Sequence, residues 1–133
     1  MKRNLNLKTI LDAAVANGVG NSINIGGYTN KEVTLDTDGS GLATMVIKFQ
    51  ISYQDEAPDF NAARAVDNQW DYCAVRDRED NSVIDGDTGI TVSGADDHRH
   101  FNLETNSAEW VNCIISGYSA GAVTVKIRMS NNS

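Results

Sequence analysis

The sequence predicts a mostly β chain: an antiparallel β-sandwich or jelly-roll-like domain with a short N-terminal helical or extended arm. Three observations carry this. From Ser22 onward, apolar residues recur at every second position, the period of a half-buried strand. The alternating runs are short, and turns rich in Gly, Asp or Ser separate them: TDGSG, RDREDN, DGDTG, SGADD, TNSA and SAG. The 133 residues, 41% of them apolar, suffice for one core and not for two. The expected division is an N-terminal arm over 1–20 and a single β domain over 21–133.

Taken in order, residues 7–16 (LKTILDAAVA) place Leu7, Ile10, Leu11 and Ala14 at helical spacing, and Asn17-Gly18 reads as a helix stop. A helix that short needs a surface to dock on. Ile23 and Ile25 flank Asn24, and Val33 and Leu35 alternate within KEVTLDT. The run LATMVIKFQISY is the best strand. It sets Met45, Ile47, Phe49, Ile51 and Tyr53 on one face and Thr44, Lys48, Gln50 and Ser52 on the other, with Val46 outside the alternation. Residues 54–68 are polar, carry the only proline, and predict a long excursion with a helical turn at 60–65. Strands return in QWDYCAVRD, SVID, GITVSG, HRHFNLET, EWVNCIISGY and GAVTVKIRM. The last of these sets Val123, Val125, Ile127 and Met129 on one side. Trp70 to Cys73 and Trp110 to Cys113 both read W-x-x-C, a faint internal echo of two strands in similar roles.

Eighteen acids against eleven bases give a net charge of −7, with no run of Lys or Arg. Such a surface repels phosphate backbones, so nucleic acid is not an expected partner. No segment has the length and apolarity of a membrane-spanning helix, so no membrane partner is expected. The start, MKRNLNLKTILDAAVANG, opens like a secretory leader, but Asn4, Asn6, Lys8, Thr9 and Asp12 interrupt its apolar stretch. The chain is therefore expected to stay in the compartment where it is made. Its two cysteines then read as buried thiols rather than a disulfide.

His98 and His100 form H-x-H on a predicted strand, which puts both imidazoles on one face as two metal ligands require, with Asp96 and Asp97 just before them. No third ligand has matched spacing, so a polar, exposed strand edge is the competing reading. Asp85 and Asp87 in DGDTG have the flavour of a calcium loop, but lack the twelve-residue order and its closing Glu. Asp and Gly are equally what β-turns are made of. The expectation is no resident metal and no cofactor, with His98, His100, Asp85 and Asp87 as the candidates to inspect. Cys73 or Cys113 with His98 would make a nucleophile–base pair, but both cysteines sit in apolar strands. No G-x-S-x-G elbow and no phosphate-binding glycine loop occurs. A non-enzymatic protein is expected. Trp70, Tyr72, Trp110, Tyr118, Tyr28 and Tyr53 could in part form a sugar-stacking face, as in carbohydrate-binding β-sandwich modules. Filling the core is the competing use of the tryptophans.

The strings ILDAAVANGVGNSINIGGY and VTLDTDGSGLATMVIKFQIS, then NQWDYCAVRDREDNSVIDGDTGITVSG and RHFNLETNSAEWVNCIISGYSAGAVTVKIRMSNN, resemble small virion structural proteins of tailed bacteriophages. The resemblance spans about residue 10 to 132. Its motifs are turns and alternating strands, which specify a β scaffold better than a task. It implies a capsid decoration or cement protein, located in the virion after assembly in the host cytoplasm. The major capsid protein or another virion protein would be its partner, and it would form a homo-oligomer. A tail, neck or adaptor component is the alternative it implies. Such proteins carry no catalytic residues to transfer. The docking candidates are the apolar stripe Leu5, Leu7, Ile10 and Leu11, with Phe60 in the 54–68 loop as a second contact. The competing reading is that the stripe packs on its own sandwich.

Overall fold

The structure, a computed structural model, describes residues 5–37, 43–64, 69–94, 98–105 and 107–131, with side chains 5, 43 and 94 left out of that description. Among the described residues twelve strands run in chain order: β1 (Leu5–Ala14), β2 (Gly18–Val19), β3 (Ile23–Asn24), β4 (Asn30–Thr37), β5 (Ala43–Ser52), β6 (Asp71–Cys73), β7 (Val75–Asp77), β8 (Val83–Ile84), β9 (Ile90–Gly94), β10 (His98–Leu103), β11 (Trp110–Ala120) and β12 (Val123–Ser130). They form two antiparallel sheets. Sheet A has the order β1-β12-β4-β10-β7-β8. Sheet B has β2-β11-β5-β6, with β3 continuing the β2 edge along β11 and β9 continuing the β6 edge along β5. The sandwich-like β fold expected from the alternation is therefore present.

The core lies between the two inner faces. Met45, Ile47, Phe49 and Ile51 of β5 and Val111, Cys113 and Ile115 of β11 face Val33 and Leu35 of β4, Phe101 and Leu103 of β10 and the odd-numbered residues of β12 from Val123 to Met129. Each such side chain contributes about 1.5–3 kcal/mol by leaving water. Tyr53 falls outside the expected face because β5 ends at Ser52, and its ring is exposed. The chain changes sheets within a single residue at Ala74, between Cys73 in sheet B and Val75 in sheet A. Such a corner lets one short strand run serve both layers.

The helix expected over 7–16 is absent; those residues belong to β1, which pairs with β12. The helical spacing has a physical origin. From Thr9↔Lys126 to Leu11↔Val125, β1 advances two residues while β12 advances one, so Ile10 is the extra residue of a bulge. A second extra residue lies between Leu11 and Ala14, where Ala13 takes a positive φ of 48°. Before the first bulge Leu7 and Thr9 share the outer face with Arg128 and Lys126. After it, Leu11 and Ala14 share the inner face with Val125 and Val123. Two phase slips in a period-two pattern yield positions 7, 10, 11 and 14, which imitate one helical stripe.

The turn expected at 60–65 is a hydrogen-bonded turn rather than a helix, with the Ala62 amide donating to the Asp59 carbonyl at 3.0 Å. Residue 65 and the rest of the 54–68 excursion to 68 lie outside the described residues, as does most of the TDGSG turn.

Candidate functional site

The outer face of sheet A is a lattice of polar side chains. Arg128 lies opposite Glu32, Lys126 opposite Thr34, His98 opposite Asp36 and Asn102 opposite Arg76. An open groove of about 730 Å³ crosses it, lined by Glu32, Arg78, Asp80, His98 and His100 among others. Its charges are mixed. Arg78 reaches Glu32 at 4.0 Å, and Arg99, also in the lining, donates to Asp77 Oδ2 at 2.7 Å.

His98 and His100 project together from β10 into this groove, and both are exposed. Their Nε2 atoms lie 3.1 Å apart, and Nδ1 of His98 contacts the Asp36 carboxylate. Converging Nε2 atoms with a carboxylate behind one ring is how two imidazoles approach a single metal. Among the described residues, however, no group of three or more His, Cys, Asp or Glu side chains has the geometry to hold an ion. The two rings instead share a hydrogen bond between their Nε2 atoms. Asp96 and Asp97 lie outside the described residues. β10 is also no edge strand; it runs between β4 and β7, with Phe101 and Leu103 facing inward.

The structure does not bring Asp85 and Asp87 to the histidines. Asp87 pairs with Arg64 at 2.7 Å, and Arg64 also reaches Asp71 at 3.3 Å. The Asp85 carbonyl accepts the Gly89 amide at 2.9 Å, closing the turn before β9. Asp80 accepts the amide and hydroxyl of Ser82, and those bonds hold its carboxyl below the usual carboxylate range. The acids of these loops thus serve as turn residues.

Cys73 and Cys113 are free and buried, as the apolar strands anticipate. Both lie opposite Phe49, one on each side of β5. Burial pushes the Cys73 thiol up to about 12 and raises the Cys113 thiol as well. Neither is a thiolate at neutral pH, and thiolate is the nucleophilic form.

The aromatic residues are used on the far side of sheet B. Phe60 and Trp70 are buried, their ring centroids 6.3 Å apart, and Trp70 meets Tyr72 edge-on at 5.1 Å. The segment from Tyr53 to Arg64 folds back over the outer face of sheet B as a strap. Gln50 Nε2 donates to the Phe60 carbonyl at 3.0 Å, Ser52 Oγ to Gln69 at 2.6 Å, and Trp70 Nε1 to Ala62 at 3.1 Å. Trp110 is half-buried, with its Nε1 donating to Asp55 at 3.3 Å. Tyr28 and Tyr118 are half-buried, and Tyr53 is the exposed member of the set. The W-x-x-C echo resolves accordingly: both cysteines face the core, and Trp70 packs on the opposite side of sheet B.

Of the residues singled out for partner contact, Ile10, Leu11 and Phe60 are buried in this chain's own packing, at 1%, 6% and 2% exposure. Leu5 lies on β1, with its side chain outside the description. Leu7 is 59% exposed on the outer face. The stripe is therefore divided between two faces, leaving Leu7 outside. A residue that sequence reasoning missed is Val83, 55% exposed on β8. SVID gives no period long enough to show which side of a strand it takes.

No known protein-family profile matches the chain, and no curated protein matches it. The fold is shared with a solved structure, the SPBc2 prophage-derived protein YomS. The TM-score is 0.62 at 16% identity, covering 98% of this chain and 96% of that one.

Proposed function

We propose that this chain is a non-enzymatic structural protein of a tailed-phage virion, and specifically a decoration protein seated on the outer head shell. The observation that carries the phage reading is the end-to-end fold likeness to a prophage-derived protein. It converges with the resemblance of the strand and turn strings to small virion proteins. Site chemistry supports a binding rather than a catalytic task. The two thiols are protonated and buried, the two imidazoles hydrogen-bond to each other, and the clustered acids cap turns. With Trp70 buried and Trp110 held by the strap, the tryptophans offer no flat platform to a sugar. A protein bound at many equivalent shell sites needs only modest contacts at each, since symmetry multiplies them.

The test is quantitative mass spectrometry of purified particles, counting this chain against the major capsid protein. A count on the order of hundreds supports head decoration, given the copy number of a symmetric shell. A count of about a dozen or fewer moves the protein to the neck or tail, where rings are small. Absence from particles overturns the virion reading.

A further inference from the structure

The two open margins of sheet A are matched to each other. Among the described residues no strand lies beyond β1 or beyond β8. The margins of sheet B are cut into pieces, β2 and β3 on one side and β6 and β9 on the other, a common way of blunting an edge. β1 instead offers a ten-residue margin, covered at Ile10, whose carbonyl accepts the Asn21 amide at 2.8 Å. Its first half, from Leu5 to Thr9, precedes both bulges and is regular.

Four large hydrophobic side chains are exposed among the described residues: Leu7, Val15, Tyr53 and Val83. One of them stands on each margin strand of sheet A, and both stand on the same face. Leu7 lies opposite Arg128 and Val83 opposite Arg76, and both arginines belong to the polar outer lattice. Every neighbouring pair in sheet A is antiparallel, so the six strands alternate in direction and β1 and β8 run opposite ways. A second copy in the same orientation can therefore lay its β1 antiparallel to β8 of the first. The outer faces then stay on one side, and Leu7 and Val83 meet across the seam.

Charge is complementary at the same seam. The regular half of β1 carries no acid, and Lys8 is exposed on it. The hairpin and turn around β8 expose three acids, Glu79, Asp80 and Asp85, against one base, Arg78. A two-fold β1–β1 pairing would set lysine-bearing ends against each other. We infer that this chain self-associates head to tail, β1 of one copy extending sheet A at β8 of the next. Such a contact is heterologous and closes into a ring or runs as a filament. Because β8 is two residues long, the main-chain ladder is short and association is concentration-dependent. This goes beyond the virion reading and stands apart from it. Absence from particles leaves self-association measurable, and a monomeric protein leaves the particle count untouched.

The experiment is sedimentation velocity on the purified full chain across a concentration series in low-salt buffer. Wild type is expected to pass beyond two copies as concentration rises. Leu7→Lys and Val83→Lys each place a charge at the seam and should weaken association roughly tenfold or more, the worth of one buried aliphatic side chain. An equimolar mixture of the two variants is the sharp arm. Each retains one sound margin, so the mixture should form pairs and stop at two copies. Both sites are exposed, and circular dichroism checks the fold; Leu7→Asn and Val83→Thr replace any variant that loses it. A wild-type monomer at every concentration overturns the inference. So does a Val83 variant that associates like wild type, which would mean β1–β1 pairing.

Discussion

The indole N–H of Trp70 donates to the carbonyl of Ala62 at 3.1 Å and so fastens the strap across the outer face of sheet B. The ring fills the space between Phe60 and Tyr72, while the hydrogen bond fixes the turn that carries Phe60. Packing and polar anchoring come from one side chain, and substitution can separate them.

Trp70→Phe keeps a ring but removes the donor, leaving the Ala62 carbonyl to water. It is expected to cost about 1 kcal/mol. Trp70→Ala also empties the space beneath the strap and is expected to cost about 3–5 kcal/mol. Urea unfolding followed by far-ultraviolet circular dichroism measures both. Limited proteolysis gives the local readout: cleavage between residues 54 and 64 should speed up in Trp70→Ala before global unfolding. Equal, small losses for both variants would mean that the strap is not held by this ring.

Gly20 sits against β1 so closely that a Cβ there would lie 2.8 Å from the Ile10 carbonyl carbon and 2.9 Å from a Leu11 methyl. The Ile10 oxygen is also the acceptor for Asn21. Gly20→Ala must push β1 away from the β2–β3 connection, and an overpacking cost of about 1–3 kcal/mol is expected. Chemical denaturation measures it, and amide exchange at Asn21 should rise selectively. Unchanged stability would show that β1 can give way there freely.

Asp77 does two things at the end of the core. Its Oδ2 accepts from Arg99 at 2.7 Å and its Oδ1 accepts the Glu79 amide at 2.9 Å, while Arg99 lies over the Phe101 ring at 4.9 Å. Both side chains are mostly buried, at 10% and 26% exposure, so removing one strands the other. Asp77→Ala is expected to cost about 2–3 kcal/mol. A double-mutant cycle with Arg99→Ala should recover a coupling of about 1–2 kcal/mol. A coupling near zero would reduce the pair to a coincidence of geometry.

How much of this was legible in the sequence follows from periodicity. Val33 and Leu35, the odd-numbered residues from Met45 to Ile51, and those from Val123 to Met129 keep a period of two, with Val46 the one apolar residue out of phase, and all of these odd-numbered residues face the core. β1 was illegible because two bulges break its phase, and a broken period of two looks like a period of 3.6. Phe60 stood in a polar stretch with no period, so nothing local showed that the segment folds back onto Gln50 and Trp70. The histidine pair was legible as two rings on one face, but the presence of a third ligand depends on neighbouring strands. Val83 acquires meaning only once strand order makes β8 a margin.

The buried thiols lower stability at alkaline pH. Burial raises Cys73 from 9.0 to about 12 in the folded chain, and Cys113 moves in the same direction. Below pH 9 both states carry the proton and the thiols add no pH dependence. Between about 9 and 12 the unfolded chain releases protons that the folded chain keeps, so the unfolded state binds fewer protons and stability falls as pH rises. Each thiol contributes a slope of about 1.4 kcal/mol per pH unit over that window. Comparing urea midpoints of wild type with Cys73→Ala between pH 8 and 10.5 isolates the effect. The Ala variant starts lower, since it loses packing against Phe49, but its stability should decline less steeply with pH. Thiol labelling gives an independent check. In native protein at pH 8, both cysteines should resist a disulfide reagent that modifies them at once in denaturant. Rapid native labelling of Cys73, or parallel pH profiles for the two proteins, would mean that water reaches the Cys73 thiol in the folded chain.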